Sequence, residues 1–456
     1  MINYELLNRY DQPGPRYTSY PTAVQFTEHY TLADYQHHAA LSNASGRDLS
    51  LYFHLPFCDT ICYYCACNKV ITRDRSKADP YLQRLHREIA MQAALFDASR
   101  KVNQLHWGGG TPTFISHHQM RELMAVTRQY FNLHDDDSGE YSIEIDPREV
   151  TRESIHLLRE IGFNRMSLGV QDFNPAVQQA VNRIQTEQQT LDALQAARDC
   201  GFKSISVDLI YGLPLQTVSS FAQTLDKIIA INPDRLSIFN YAHLPERFKP
   251  QRRINTIDLP SAASKLDILK MSIEQLTTAD YVYIGMDHFA KPDDELAIAQ
   301  TQGKLYRNFQ GYATHADCDL IGMGITSIGT VGNSFAQNVK TLDDYYAIID
   351  NNSLPVTRGI EIDQDDLLRR EIIMQLICHF QLDIAAFERR NGLNFANYFT
   401  DALQQLDIMA TDGLLVRSTG HITVTATGRL LIRNICMAFD RHLKSTPNPH
   451  RYSRAI

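Results

Sequence analysis

The sequence predicts an α/β protein, a partial (β/α)6 barrel preceded by an N-terminal arm and followed by a mainly helical, winged-helix-like C-terminal domain. Three observations carry this expectation. From residue 49 to about residue 242, short β-rich runs alternate with amphipathic helical stretches, the pattern of parallel strands joined by helical crossovers. Polar or glycine residues gather at the end of each run. From about residue 360 the order changes to three helices followed by one hairpin.

The arm comes first. Residues 1–25 are rich in Tyr, Pro, Arg and Thr, as in DQPGPRYTSYPT from Asp11, without helical or strand periodicity. Such a stretch is expected to be extended and to need other surfaces to hold it. With a lead-in helix it makes up residues 1–45. The barrel and an extension occupy residues 46–359, with strands LSLYFHLPF from Leu49, VNQLHWGG from Val102, YSIEID from Tyr141, RMSLGVQ from Arg165, SISVDLIYG from Ser204 and RLSIFNYA from Arg235. Segments such as PYLQRLHREIAMQAALF from Pro80 and SFAQTLDKIIAI from Ser220 repeat apolar residues at three- and four-residue spacing and read as crossover helices. Residues 360–456 form the last domain, with GLLVRSTGHITVT from Gly413 as the hairpin and RLLIRNICMAF within the closing helix.

Composition narrows the function. A chain of 456 residues that is 44% hydrophobic buries a large core. It contains no apolar run of roughly 20 residues, so no membrane span is expected, and its first residues lack the basic-then-apolar pattern of a signal peptide. The cytoplasm is the expected compartment, and a monomer the expected state. A net charge of -8 argues against a nucleic-acid partner, which needs excess Lys and Arg. Of eight cysteines, four lie between Cys58 and Cys67, while Cys200, Cys318, Cys378 and Cys436 are scattered and read as small buried apolar residues.

The chemistry-bearing residues fall where the predicted strands end, the face on which parallel barrels place their sites. Cys58-x3-Cys62-x2-Cys65 offers three thiolates on one loop after the first strand, enough for three corners of a 4Fe-4S cubane, leaving the fourth iron free for a small molecule. Structural zinc favours two separated pairs of cysteines, and no second pair is present. Cys67 lies too near Cys65 for a fourth corner. Gly108 to Thr111 ends the second strand, where glycines serve either a ligand's approach to the backbone or simply a tight turn. Glu144 and Asp146 offer carboxylates to hydroxyls or an ammonium, or one of them caps the next helix. Arg183 can grip a carboxylate with two prongs or stand as a solvated surface residue. Asp208, among apolar neighbours in SISVDLIYG, is costly to bury unpaired and is expected to face a site or a fixed partner.

The cysteine loop resembles that of radical S-adenosylmethionine enzymes. Nearly the whole chain is similar to the family of oxygen-independent coproporphyrinogen III oxidases, on PGPRYTSYPT from Pro13, CYYCAC from Cys62, WGGGTPT from Trp107, IEIDPRE from Ile143, GVQDFN from Gly169, DLIYGLP from Asp208, FNYAHLP from Phe239, GMDHFAKPDDELA from Gly285, YRNFQGY from Tyr306 and GRLLIRNICM from Gly428. The resemblance implies a radical-SAM partial barrel with a 4Fe-4S cluster on Cys58, Cys62 and Cys65, and two molecules of S-adenosylmethionine. The cluster-bound one would meet Tyr52, Tyr64, Gly109, Glu144 and Ile328, and the second Gly110, Thr111, Gln171, Arg183, Asp208 and Ala242. Tyr64 stands where the family carries phenylalanine. The implied reaction converts two propionates of coproporphyrinogen III to vinyl groups, giving protoporphyrinogen IX, through a 5'-deoxyadenosyl radical, with electrons from a reduced donor such as flavodoxin or ferredoxin. Arg16, His288 and Arg307 are the candidates for gripping the carboxylates of this substrate, or else members of structural ion pairs. Two other readings are a haem chaperone of the sister radical-SAM family and a cluster-bearing winged-helix regulator. The arm and Cys65-Ala66-Cys67 count against the first, and the acidic charge against the second.

Overall fold

A computed structural model gives the architecture and describes residues 4–315, 317–443 and 452–454. The chain divides into two compact units, one made of Phe26–Pro260 and Asp317–Glu361, the other of Met1–Gln25, Ser261–Ala316 and Ile362–Ile456.

The first unit carries all six predicted strands: β1 (Leu49–Leu55), β2 (Lys101–Gly109), β3 (Glu140–Ile145), β4 (Arg165–Gln171), β5 (Ser204–Tyr211) and β6 (Arg235–Asn240). Each pairs in parallel with the next, in chain order. Between them run α2 (Ala78–Ala93), α3 (His117–Tyr130), α4 (Arg152–Glu160), α5 (Glu187–Asp199) and α6 (Val218–Ile231), with α1 (Leu32–Asn43) as the lead-in. Thr31, Ser116, Thr151, Thr186 and Thr217 start five of these helices, each side chain accepting a backbone N–H of the first turn. β1 is buried along nearly its whole length, as expected of a parallel strand flanked on both edges and covered by helices. Trp107 of β2 is fully buried, edge-on to Phe53 at 6.3 Å and to Phe163 at 4.8 Å between ring centres.

The extension adds strands that alternation alone did not reveal. β7 (Asp319–Met323) lies parallel against the other edge of β1, in register from Leu49 opposite Asp319 to Phe53 opposite Met323. β8 (Ile328–Val331), β9 (Ser334–Asn338) and β10 (Val356–Glu361) follow antiparallel. Two buried polar clusters fasten β7. At its start, Asp319 accepts from Arg100 at 2.5 Å, from Gly332 N–H at 2.9 Å and from the Ser42 hydroxyl. Beyond its end, the wholly buried Glu88 of α2 accepts from Gly324 N–H at 2.8 Å, Asn338 Nδ2 at 2.8 Å and the Tyr345 hydroxyl at 2.6 Å, fixing the turn between β7 and β8.

The second unit is built around the helix Gln364–His379, whose Ile372, Ile373, Leu376 and Ile377 are fully buried. The expected hairpin forms from Leu415–Arg417 and His421–Val424, but Gln381–Asp383 joins it as a third strand, and the closing helix divides at Leu431. The arm is irregular from Asp11 onward, yet Tyr4–Tyr10 is a short helix, contrary to the expectation for residues 1–25. Leu6 and Tyr10, four residues apart, bury one face of it, too brief a repeat to stand out in sequence. The arm is held as expected by other surfaces, those of its own unit. Buried Arg433 donates to the carbonyls of Gly14 and Pro15, Asn434 Nδ2 to that of Tyr10 at 2.8 Å, and the Tyr17 hydroxyl to Asp440 at 3.0 Å. Among the described residues no helix is long and apolar enough to cross a membrane.

Candidate functional site

The cysteine loop is closed at its base and pinned along its length. Phe57–Cys58 pairs in parallel with Val70–Ile71, and Thr72 N–H donates to the Cys58 carbonyl at 2.9 Å. Within the loop, Cys65 N–H reaches the Cys62 carbonyl at 3.2 Å, and Tyr63 N–H the Val181 carbonyl at 2.9 Å. Side chains take four further carbonyls: Asn182 Nδ2 donates to Ile61 at 2.7 Å, Gln251 Nε2 to Tyr64 at 3.1 Å, and Lys69 Nζ to Cys65 and Cys67 at 3.2 Å each. A loop with its backbone groups satisfied in this way holds its thiols in fixed directions.

Cys58, Cys62 and Cys65 line one cavity at the strand C-termini, together with Tyr64, Gly109, Gly110, Thr111, Glu144, Gln171, Arg183 and Asp208. The glycine turn is sewn onto the cysteine strand by Gly110 N–H to the Leu55 carbonyl at 2.8 Å and Thr111 N–H to the Phe57 carbonyl at 2.7 Å. A Cβ at Gly110 would stand 2.6 Å from the Phe57 carbonyl oxygen, and Gly109 has φ +114°, so both glycines are required by the turn itself.

Glu144 accepts from Gly109 N–H at 3.0 Å and lies 3.4 Å from His106 Nε2. Burial opposes its charge, but these donors prevail and hold its carboxyl below the usual range. Asp146 caps the turn Pro147–Glu149 and is clasped by two guanidiniums, Arg148 at 2.7 Å and Arg183 at 2.9 Å. Arg183 is therefore no solvated surface residue. It is buried, with Nη1 3.6 Å from Cys62 Sγ and Nη2 donating to the Gly169 carbonyl at 2.5 Å, while its Nε has no protein partner. A break in register between Gly169 and Gln171, where Gln171 takes φ +69°, turns this residue into the cavity. Asp208 accepts from the Ser167 hydroxyl at 2.8 Å, and burial pushes its pKa up to about 6.

Three expected contacts lie outside the lining. Tyr52 is a layer behind, its hydroxyl 3.1 Å from His54 Nδ1 and its ring stacked at 5.8 Å on His106, which in turn holds Glu144. Ala242 follows β6, its carbonyl accepting from Gln251 Nε2 at 3.2 Å. Ile328 opens β8, where its carbonyl lies against Gly322. The substrate candidates meet in the second unit. Arg16 pairs with Asp287, Arg307 Nε donates to the Arg16 carbonyl at 3.4 Å, and the Arg307 guanidinium lies 4.7 Å above the Tyr312 ring, to which His288 is edge-on.

Sequence reasoning missed Arg148 and Gln251. Arg148 carried a signal, a cation two residues beyond Asp146 at a strand end. Gln251 sits in an irregular stretch and carried none. The donor set fits a cubane rather than a single ion. The three thiols share one cavity, and two of the sulfurs face donors: Thr111 Oγ1 at 3.5 Å from Cys58, Arg148 and Arg183 at 3.8 and 3.6 Å from Cys62.

Comparison with known proteins agrees with this geometry. Residues 52–228 match the Radical SAM superfamily and residues 362–431 the HemN C-terminal domain. The chain is 55% identical over 452 residues to an oxygen-independent coproporphyrinogen III oxidase of Pseudomonas aeruginosa, covering 99% of this chain and 98% of the relative. To the enzyme of that name from Escherichia coli K12 it is 50% identical over 451 residues, with the same coverage. A solved structure described as coproporphyrinogen III oxidase (HemN) from Escherichia coli, a radical SAM enzyme, superposes with a TM-score of 0.92 at 49% identity, covering 97% of this chain and 99% of that one.

Proposed function

Because the chain belongs to the oxygen-independent coproporphyrinogen III oxidase family of radical SAM enzymes, we propose that its cavity carries out the anaerobic oxidative decarboxylation of two propionates of coproporphyrinogen III, giving protoporphyrinogen IX. The observation that carries this reading is one cavity lined by the loop cysteines Cys58, Cys62, Cys65 and Cys67, of which the first three have the spacing for a cubane, a glycine turn and the side chains of Glu144, Gln171, Arg183 and Asp208. Full-length similarity to named oxidases leaves the haem-chaperone and regulator readings without support.

Cys58, Cys62 and Cys65 hold the 4Fe-4S cluster. When bound, the cluster and S-adenosylmethionine would supply a 5'-deoxyadenosyl radical able to take a hydrogen atom from a propionate β-carbon. The protein's part is binding, orientation and exclusion of water. The glycine turn lets backbone come close to the cluster-bound cofactor, with Glu144 held ionised beside it for an ammonium or hydroxyl group and Tyr64 on the same side, while Tyr52 backs this set through His106 and Ile328 stands outside the lining. Gly110, Thr111, Gln171, Arg183, Asp208 and Ala242 hold the second cofactor molecule. Arg183 offers its guanidinium to the carboxylate of that molecule, and Asp208, which lines the cavity beside Ser167, accepts hydroxyl hydrogens. Arg16, His288 and Arg307, which meet in the second unit, grip the carboxylates of the substrate. A reduced flavodoxin or ferredoxin delivers electrons to a monomeric, cytoplasmic enzyme.

The deciding experiment is anaerobic incubation of the reconstituted protein with coproporphyrinogen III, reductant and S-adenosylmethionine. Protoporphyrinogen and 5'-deoxyadenosine should accumulate together. Haem binding without porphyrinogen turnover would instead establish the chaperone.

A further inference from the structure

The geometry assigns Arg148 the role of raising the reduction potential of the cluster, through the sulfur of Cys62. Its placement is built rather than incidental. Asp146 accepts the backbone N–H of Arg148 at 3.0 Å, its Nε at 3.0 Å and its Nη2 at 2.7 Å, which folds the side chain back over the turn Pro147–Glu149 and sets Nη2 3.8 Å from Cys62 Sγ. Neutralising Asp146 does not explain the residue, because Arg183 already pairs with the same carboxylate at 2.9 Å. Among these three groups, two guanidiniums and one carboxylate leave a formal charge of +1 beside a cluster ligand, while Asp59 and Glu149 of the same cavity lining pair with Arg75 at 2.7 and 3.2 Å. The side chains of Arg148, Arg183 and Asp146 are only 15%, 8% and 9% exposed, so solvent screens that charge weakly.

Reduction adds an electron to the cluster. A fixed cation next to one of its sulfurs therefore favours the reduced form, and a hydrogen bond to that sulfur acts in the same direction. Arg148 and Arg183 divide the task unequally. This division rests on the proposed function, in which Arg183 also faces the carboxylate of the second S-adenosylmethionine and has its charge compensated there. Before S-adenosylmethionine binds, the charge of +1 stands whole beside the cluster; once it binds, Arg148 keeps its hydrogen bond to Cys62 Sγ while its charge is shared with Asp146.

The test is an anaerobic redox titration of the reconstituted enzyme, followed by electron paramagnetic resonance without substrate or S-adenosylmethionine, with iron measured in the same samples. Arg148→Gln removes the charge but keeps a polar side chain, and should titrate at a lower potential than wild type, so that the reduced fraction at a fixed ambient potential falls several-fold. Arg148→Lys should recover most of the loss, because charge governs the effect. A fully loaded Arg148→Gln protein at the wild-type potential overturns the inference, as does loss of iron from both variants, which would make the residue purely structural. If the Gln variant alone loses iron, the Lys variant decides: a potential at or near the wild-type value supports the inference, and a fall as large as that of a cluster lacking the charge in Arg148→Met refutes it. Equilibrium dialysis adds a further check. Loss of a bound S-adenosylmethionine with an unchanged potential would make Arg148 a cofactor ligand instead. Failure of the wild-type protein itself to assemble a cluster would sink the proposed function, a separate outcome.

Discussion

Arg183 marks the limit of reading single residues from sequence. An arginine in a polar stretch between helices is compatible with a surface position, and only the tertiary fold places it against Asp146, Cys62 and the Gly169 carbonyl. The cysteines were legible because their spacing is itself the chemical requirement, and Asp208 because a carboxylate among apolar strand residues needs a reason to be there. Gln251 was not legible: its meaning lies in two carbonyls, of Tyr64, 187 residues away, and of Ala242, nine residues away across an irregular stretch. Serine in place of Cys58, Cys62 or Cys65 should abolish the cluster absorbance near ~400 nm and the bound iron after anaerobic reconstitution, since each supplies one of three corners. Cys67→Ser should retain both. Alanine at Arg183 or Asp208 should leave one S-adenosylmethionine bound per chain in equilibrium dialysis and eliminate porphyrinogen turnover, whereas two bound molecules would remove these residues from the second site.

At the scale of elements, the six barrel strands were legible because apolar alternation, crossover length and polar strand ends agree with one another. β7 was not, because it returns to the edge of β1 from a distant segment with no crossover helix of its own to announce it. Gln381–Asp383 is too short to carry a pattern. The turn between β7 and β8 depends on Glu88, whose pKa burial pushes up to about 7 from 4.5, against hydrogen bonds from Tyr345, Gly324 and Asn338. The folded protein thus holds this proton more tightly than the unfolded chain does. Stability from this group is present below about pH 4.5 and is lost as the pH rises through about 7, a change on the order of 3 kcal/mol. Glu88→Gln cannot titrate, and its amide must aim a donor at Asn338 or Gly324. The variant should unfold at lower urea concentration than wild type at pH 5, with the gap narrowing by pH 7.5, as read by circular dichroism.

At the scale of the molecule, each unit is assembled from separated stretches of chain. Domain order along the sequence follows composition, whereas the folded units follow contacts that composition does not record: residues 1–25 and 261–316 gather with the C-terminal helices. Removing residues 1–22 takes away the carbonyls of Gly14 and Pro15 that buried Arg433 uses, and the hydroxyl of Tyr17 that Asp440 accepts. Stranded buried polar groups of this kind cost about 1–3 kcal/mol each. The truncated protein should melt several degrees lower while keeping its iron, because the cluster cysteines belong to the other unit. Coupled product formation per cluster should fall by orders of magnitude if the arm also serves the substrate. Near-normal coupled turnover would confine its role to stability.

The pairing of β1 with β7 also has a consequence for biosynthesis. A ribosome delivers the cysteine loop early, but the strand bearing it keeps one edge bare until Asp319–Met323 emerges, long after all six barrel strands have been translated. During that interval the nascent chain presents an open, apolar β-edge, the kind of surface that chaperones shield and that aggregates recruit. A message truncated before β7 would yield a protein that contains every cluster ligand yet has lost the strand that keeps β1 from self-association.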